Sequence, residues 1–208
     1  SGGIKRAGAI FEFNPQTLAY TVLHQFDYSS IGHNPVGGVA YYEGKIYGRL
    51  RNGTTYGNGA LIEYDLGTQQ LEKKVDFKTG MGGLDTGELI ILNGKIYGVK
   101  ATSWENIQGF LYEYNPATET VSKILEFTQE NPIKDLISAN GKLYWLNGGV
   151  GTANDGSLVS FDPQTQSYTI LVEDNQEETE GLSSGNLSFF DGEKLWGSAG
   201  LTDGVVQI

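Results

Sequence analysis

Apolar and polar positions alternate along this chain in short stretches, each broken by Gly, Pro, Asn or Asp. Alternation with a period of two is the signature of half-buried β-strands, and the breakers mark turns between them. One stretch recurs: a Gly, an alternating strand and an Asx-containing turn. It reads Gly8-Ala-Ile-Phe-Glu-Phe-Asn-Pro-Gln-Thr17, then Gly59-Ala-Leu-Ile-Glu-Tyr-Asp-Leu-Gly-Thr68. It returns as Gly109-Phe-Leu-Tyr-Glu-Tyr-Asn-Pro-Ala-Thr118 and Gly156-Ser-Leu-Val-Ser-Phe-Asp-Pro-Gln-Thr165, and a fifth copy begins at Gly204. Between these lies a hairpin with an aromatic second strand: Glu43-Gly44-Lys-Ile-Tyr-Gly48, Asn93-Gly94-Lys-Ile-Tyr-Gly98, Asn140-Gly141-Lys-Leu-Tyr-Trp145 and the altered Asp191-Gly192-Glu-Lys-Leu-Trp-Gly197. Asn-Gly and Asp-Gly favour two-residue hairpin turns because both central positions need positive φ.

Each repeat therefore predicts four strands, a to d. In the second unit, c covers 60–65, d 71–77, a 88–92 and b 95–100. Strand a, with Leu89-Ile90-Ile91-Leu92, reads as buried on both faces, and d, with Leu71, Lys73, Val75 and Phe77 alternating, as an outer strand. A four-stranded meander cannot bury both faces alone, whereas radially stacked sheets can. The expected fold is all-β: a β-propeller of four-stranded antiparallel blades of about 50 residues, part of a larger ring. Units starting near 8, 59, 109 and 156 form one repeat domain over 1–208, with a truncated fifth at 204. The array reads as clipped at both ends, so missing blades or a second chain are expected to close the ring. A β-sandwich or a linear solenoid of hairpins is the alternative.

Composition fits this frame. The 208 residues include 30 Gly, which suits many tight turns. There are no cysteines, hence no disulfide framework and no thiolate metal site. The net charge of −11 opposes binding to nucleic acid and to anionic membrane surfaces. No apolar run approaches the roughly 20 residues of a membrane helix, so membrane insertion is not expected.

The segments Gly8-Ala-Ile-Phe-Glu-Phe13, Tyr20-Thr-Val-Leu-His-Gln-Phe26, Asn34-Pro-Val-Gly-Gly38 and Gly44-Lys-Ile-Tyr-Gly48 resemble the Gloeobacter/Verrucomicrobia repeat family. The resemblance is closest in the first unit and extends over nearly the whole chain. It implies bacterial, secreted or cell-surface tandem repeats with a propeller-like fold, and brings no catalytic motif. The strand order also resembles kelch repeats more weakly, without the kelch double Gly after strand b.

Loop lengths suggest where a ligand would bind. The a–b and c–d turns are short, whereas the b–c connections (49–58, 101–108, 148–155) and the d–a connections (27–35, 174–184) are long and share the other face. Long loops on a rigid scaffold are where binding residues gather. The candidates there are His33, Arg49, Arg51, Tyr56, Trp104, Glu105 and Asn106. An Arg pair with Tyr and Trp could grip an acidic or neutral glycan; the plainer reading is that both arginines pair with carboxylates on a solvated rim. Trp145 and Trp196, on b strands, read as core between sheets.

Little reads as reaction chemistry. The two histidines, His24 and His33, are nine apart and make no metal pair; Asp76 and Glu126 occupy the His24 position in other units. No nucleophile elbow or phosphate-binding loop is present. Asn154-Asp155-Gly156 has too few oxygen ligands nearby for Ca²⁺, and the acidic run from Glu173 to Glu180 reads as a solvated loop. The expectation is no catalytic residue, no metal and no cofactor: a non-catalytic extracellular binding, adhesion or scaffold module, its partner a carbohydrate or another surface protein. The alternatives are a propeller-type carbohydrate-active enzyme (glycoside hydrolase or polysaccharide lyase) and a structural spacer in a surface protein.

Overall fold

The computed structural model describes residues 5–28, 31–52, 54–78, 84–101, 109–127, 136–147, 156–173, 182, 185–199 and 204–207. Among the described residues there are seventeen strands. They are β1 (Ala9–Asn14), β2 (Ala19–Gln25), β3 (His33–Tyr42), β4 (Lys45–Asn52), β5 (Ala60–Asp65), β6 (Gln70–Asp76), β7 (Leu84–Leu92), β8 (Lys95–Ala101) and β9 (Gly109–Asn115). There follow β10 (Thr120–Phe127), β11 (Ile137–Ala139), β12 (Lys142–Asn147), β13 (Ser157–Asp162), β14 (Ser167–Glu173), β15 (Asn186–Phe190), β16 (Leu195–Ala199) and β17 (Gly204–Gln207). The fold is all-β, as the alternation predicts. The chain divides into two compact units, Ser1–Asp85 and Thr86–Ile208.

The sheets set the phase of the blades against the repeat. Each four-stranded sheet runs a-b-c-d in chain order: β3-β4-β5-β6, β7-β8-β9-β10 and β11-β12-β13-β14. Strands c and d of one sequence unit thus pair with a and b of the unit before it, so the repeating unit and the pairing unit differ by half a period. β1-β2 is a two-stranded c-d sheet, and β15-β16-β17 is an a-b-c sheet. Within a sheet, successive strands are antiparallel neighbours.

The turns form for the reasons the sequence suggests. Asn93 and Gly94 take φ of 51° and 75°, Asn140 and Gly141 47° and 79°, and Glu43 and Gly44 49° and 78°. At the c–d turns an Asx side chain caps the chain. Asn14 Oδ1 accepts from the N–H groups of Gln16 and Thr17, and Asp65 Oδ1 from those of Gly67 and Thr68. Asp162 Oδ1 does the same for Gln164 and Thr165. The Gly that opens each c strand answers a steric demand. A Cβ at Gly109 would overlap the Lys100 carbonyl oxygen and the Phe127 ring, and Gly8 combines φ of +102° with the Pro35 ring lying against it.

The core sits between neighbouring sheets. In the first unit Ile10 and Phe26 pack against Leu50, Ala60, Ile62 and Tyr64 of the β3–β6 sheet, and Tyr64 Oη donates to the Leu23 carbonyl at 3.2 Å. In the second, Tyr97, Val99 and Leu111 pack against Leu143, Trp145, Val159 and Phe161. Leu146 and Leu158 meet Leu182 and Leu187. The strand buried on both faces is c rather than a: β5 and β13 are buried over their first five residues, whereas Ile90, Ile91 and Leu92 are only partly buried. Strand c is interior in its sheet, with b and d on either side, while a is an edge.

This placement buries a charge. Glu63 on β5 is 6 % exposed. Lys45 Nζ donates to its Oε1 at 2.6 Å and Tyr47 Oη to its Oε2 at 2.7 Å. Glu113 on β9 repeats the clamp, with Lys95 at 2.7 Å and Tyr97 at 2.8 Å. A buried carboxylate persists only when paired and hydrogen-bonded in this way.

Candidate functional site

Of the seven residues singled out, four can be placed. All four lie in the first unit, at the end of the β3–β6 sheet from which the long connections emerge. β3 begins at His33, so this residue is in a strand, opposite Asn52 of β4, rather than in the expected loop. Arg49 and Arg51 are also on a strand, β4, which runs to Asn52. Arg49 lies opposite Leu61 and is 1 % exposed. It is a residue of the sheet interior and not of a solvated rim. Arg51 is exposed, and so is Tyr56. Trp104, Glu105 and Asn106 lie outside the described residues.

The structure groups further side chains with these. The exposed Tyr28 ring stands edge-on to His33, centroids 4.6 Å apart. Lys78 Nζ lies 6.0 Å from the centre of the Tyr56 ring, a weak cation–π contact at this exposure. The Tyr56 connection is pinned by Asp76, whose Oδ2 accepts from the Thr55 N–H at 3.0 Å and from Lys73 Nζ at 2.7 Å. Burial pushes the Asp76 carboxyl up, but the hydrogen bonds from Lys73 and Thr55 outweigh it and hold the group below its ordinary value. Asp27 pairs with Lys5 at 3.0 Å. Three buried polar atoms at this end, His33 Nδ1, Thr54 Oγ1 and Asp76 Oδ1, have no hydrogen-bond partner among the described residues. Such atoms are rare in folded proteins and call for an explanation.

Chemically, the cluster offers two exposed aromatic faces, an imidazole, and the cations Arg51 and Lys78 on a surface that is otherwise acidic. A general acid needs a raised pKa, and the Asp76 shift runs the other way. Among the described residues no group of three His, Asp or Glu side chains is placed to hold a metal ion. His24 packs edge-on against Phe26, and burial pushes its imidazole pKa down against the opposing pull of Asp27.

Sequence reasoning missed Tyr28 and Lys78, although Tyr28 lies inside a connection already marked as long. It misplaced Arg49, and here a signal existed. The same strand-b position is Val99 in the next sheet and Leu146 in the one after, both buried, so the column of repeats marks it as core. Trp145 is core as expected, at 1 % exposure, its Nε1 donating to Asn147 Oδ1 at 2.7 Å. Trp196 is not: it is half-buried, stacked on the exposed Phe189 with centroids 6.1 Å apart.

Comparison with known proteins agrees with the architecture. No protein of curated function matches the chain in sequence. Among solved structures it is similar to a chain of a nidogen/laminin complex, with 13% identity and a TM-score of 0.63, over 92% of this chain and 64% of that one. It is similar to TolB from Acinetobacter baumannii, with 14% identity and a TM-score of 0.57, over 92% and 45% of the two chains. The extracellular domain of the one-component system BT4673 from B. thetaiotaomicron gives 15% identity and a TM-score of 0.61, over 92% and 24%. The chain thus spans less than two thirds of the length of each of these neighbours, and at such identities they establish the β-propeller fold alone. The Gloeobacter/Verrucomicrobia repeat matches over residues 1–204, and the chain belongs to that family.

Proposed function

We propose that the chain is a non-catalytic extracellular binding module, secreted or at a bacterial cell surface, that takes a carbohydrate at the long-connection end of the β3–β6 sheet. The observation that carries this reading is the set of exposed Tyr28, Arg51 and Tyr56, with the half-buried His33 edge-on to Tyr28, at one end of the β3–β6 sheet. Sugar rings stack on tyrosine faces, and Arg51 supplies donors suited to hydroxyl or carboxylate oxygens. The neighbours support the setting: one is the extracellular domain of a one-component system from B. thetaiotaomicron and another was solved as a nidogen/laminin complex. The carbohydrate-cleaving alternative draws no support from Asp27 or Asp76, which are held by Lys5 and by Lys73 and Thr55.

A glycan array followed by calorimetry tests the proposal. Tyr28→Ala and Tyr56→Ala should each weaken binding about tenfold, on the order of one stacking contact, with the far-UV spectrum unchanged because both side chains are exposed. Absence of any retained glycan, together with no partner captured from cell-surface extracts, would sink it.

A further inference from the structure

The seam between the β1–β2 and β3–β6 sheets lies inside one compact unit, Ser1–Asp85. Its packing is apolar: Ile10 and Phe26 meet Leu50, Ala60, Ile62 and Tyr64, with Leu23 and Leu71 at the margin. Two hydrogen bonds cross it. Tyr64 Oη donates to the Leu23 carbonyl at 3.2 Å, and the Asn34 N–H donates to the Ala7 carbonyl at 2.8 Å.

One position departs from this chemistry. Across the strands His24 stands opposite Ile10. The same rung is Leu61–Val75 in β5–β6, Leu111–Leu125 in β9–β10 and Leu158–Val172 in β13–β14. His24 thus belongs to the column of Val75, Leu125 and Val172, not to that of Asp76 and Glu126 as the spacing suggests. Directly opposed residues share a face of the sheet, and Ile10 is 5% exposed. The imidazole is half-buried there, edge-on to the buried Phe26 ring with centroids 4.9 Å apart.

An imidazole on an apolar rung is tolerated as the neutral ring and penalised as the cation, unless nearby charges offset the penalty. On its own sheet the charged groups nearby are Glu12, exposed and further along β1, and Asp27, which Lys5 holds at 3.0 Å. On the facing sheet Lys73 lies opposite Ile62, Asp76 opposite Ala60 and His33 opposite Asn52, so these share the seam face with Tyr64. Lys73 and Asp76 pair with each other at 2.7 Å. Burial outweighs the pull of Asp27 and sets the His24 pKa below its ordinary 6.5.

We propose that His24 makes this seam an acid-sensitive joint: a proton taken up by its imidazole loosens the packing of the β1–β2 sheet on the β3–β6 sheet. When the sheets part, the ring returns to water, where the charged form carries no penalty. Proton uptake therefore favours the parted form. The stability lent by the neutral ring is present above about pH 6.5 and is lost as pH falls below it. No side chain other than histidine ordinarily changes charge between about pH 5 and about pH 8, and His24 and His33 are the only two histidines of the chain. This inference does not rest on the carbohydrate reading, since it uses the seam rather than Tyr28, Arg51 and Tyr56.

An imidazole NMR titration with amide hydrogen exchange on the whole chain tests it. The Asn34–Ala7 bond reports on the joint, because it breaks when the sheets part. His24 should titrate below 6.5, and lower still in Asp27→Asn, which removes the one charge that pulls its pKa up. The protection factor of the Asn34 amide should fall at least about threefold from about pH 7 to about pH 5.5, with about tenfold per pH unit as the ceiling for a single proton. In His24→Leu, which places at this rung the residue type of Leu125, the protection factor should be the same at both pH values. A His24 titration at or above 6.5, an Asn34 protection factor equal at the two pH values in the unaltered chain, or the same fall in His24→Leu would each overturn the proposal.

Discussion

The repeat supplies its own control for the energetic weight of the buried glutamate clamp. Glu12, Glu63 and Glu113 hold one position in three copies, with three environments. Replacing Glu63 by Ala strips the acceptor from Tyr47, which is 1 % exposed, and leaves that hydroxyl buried without its charged partner. A hydrogen bond to a charged group is worth about 1.5–3 kcal/mol, and an orphaned buried donor costs about 1–3 kcal/mol. Lys45 contributes less, because its side chain is 35% exposed and can return to water, so its pair counts at the screened value of under about 1 kcal/mol. Lys74, 3.7 Å from Glu63, keeps Glu72 at 2.7 Å. These terms overlap, and together they set the cost of Glu63→Ala at about 3 kcal/mol. At Glu113 the carboxylate is more open, 16 % against 7 % for the side chain, so Glu113→Ala should cost about 2 kcal/mol. Exposed Glu12, with no ion-pair partner among the described residues, should give a change within about 0.5 kcal/mol.

Urea denaturation measures all three. With a slope of about 2 kcal/mol per molar, midpoints should fall by about 1.5 M, about 1 M and less than about 0.25 M. Each variant removes one negative charge from the net −11, so relief of general repulsion cancels in the comparison. The probe must match the unit: all three tryptophans, Trp104, Trp145 and Trp196, lie beyond residue 85, so far-UV circular dichroism must report on Glu12 and Glu63. Equal shifts at the three sites, or a Glu63→Ala shift as small as that of Glu12→Ala, would refute the reasoning.

Other outcomes follow from the same structure. Burial, reinforced by the Glu113 hydrogen bond, pushes the Tyr97 phenol far above its ordinary value of 10.0. A raised folded pKa favours the protonated form, so this contribution is intact below about pH 10 and is lost above it. Urea midpoints between pH 8 and pH 11 should fall less steeply in Tyr97→Phe. At Asp191 the sign reverses. The Lys194 N–H, then the Trp196 indole and the Glu193 N–H, hold its carboxyl down to about 2. The stability it lends is present above about pH 4 and is lost as pH falls toward 2. An NMR titration should place it lowest among the described aspartates, and Asp191→Asn should keep the turn while removing that step. Gly109→Ala should cost about 3 kcal/mol in thermal or urea unfolding, because both the Lys100 carbonyl and the Phe127 ring stand where the Cβ would go.

What was legible in the sequence is what local chemistry decides. Asn93-Gly94 and Asn140-Gly141 specify their hairpins through φ, and Asn14, Asp65 and Asp162 specify the c–d turns through their own side chains. The phase of the sheets was not legible. Both the b–c and d–a connections are long, so the pattern alone does not say whether a sheet joins β4 to β5 or β6 to β7. That choice is made by long-range packing, where Leu50, Ala60 and Ile62 form one core with Ile10 and Phe26. Glu63 was equally opaque: by alternation it reads as a solvent-facing residue, and only its Lys and Tyr partners on the adjacent strand make burial tolerable.

The same comparison of copies separates structure from function more sharply than loop length does. Arg49 and Arg51 are two apart and both stand out as cations in an acidic chain. Read down the next two sheets, the Arg49 position is Val99 and Leu146, both buried, and Arg49 is buried with them. The Arg51 position is Ala101 and Gly148, both small. Glu12, Glu63 and Glu113 recur with the strand, which marks the clamp as a device of the fold. A ligand contact has no reason to recur at every blade. The residues that interrupt the repeat on an exposed end, Tyr28, His33, Arg51 and Tyr56, therefore carry the stronger claim to recognition, and Arg49 belongs with the core despite its charge.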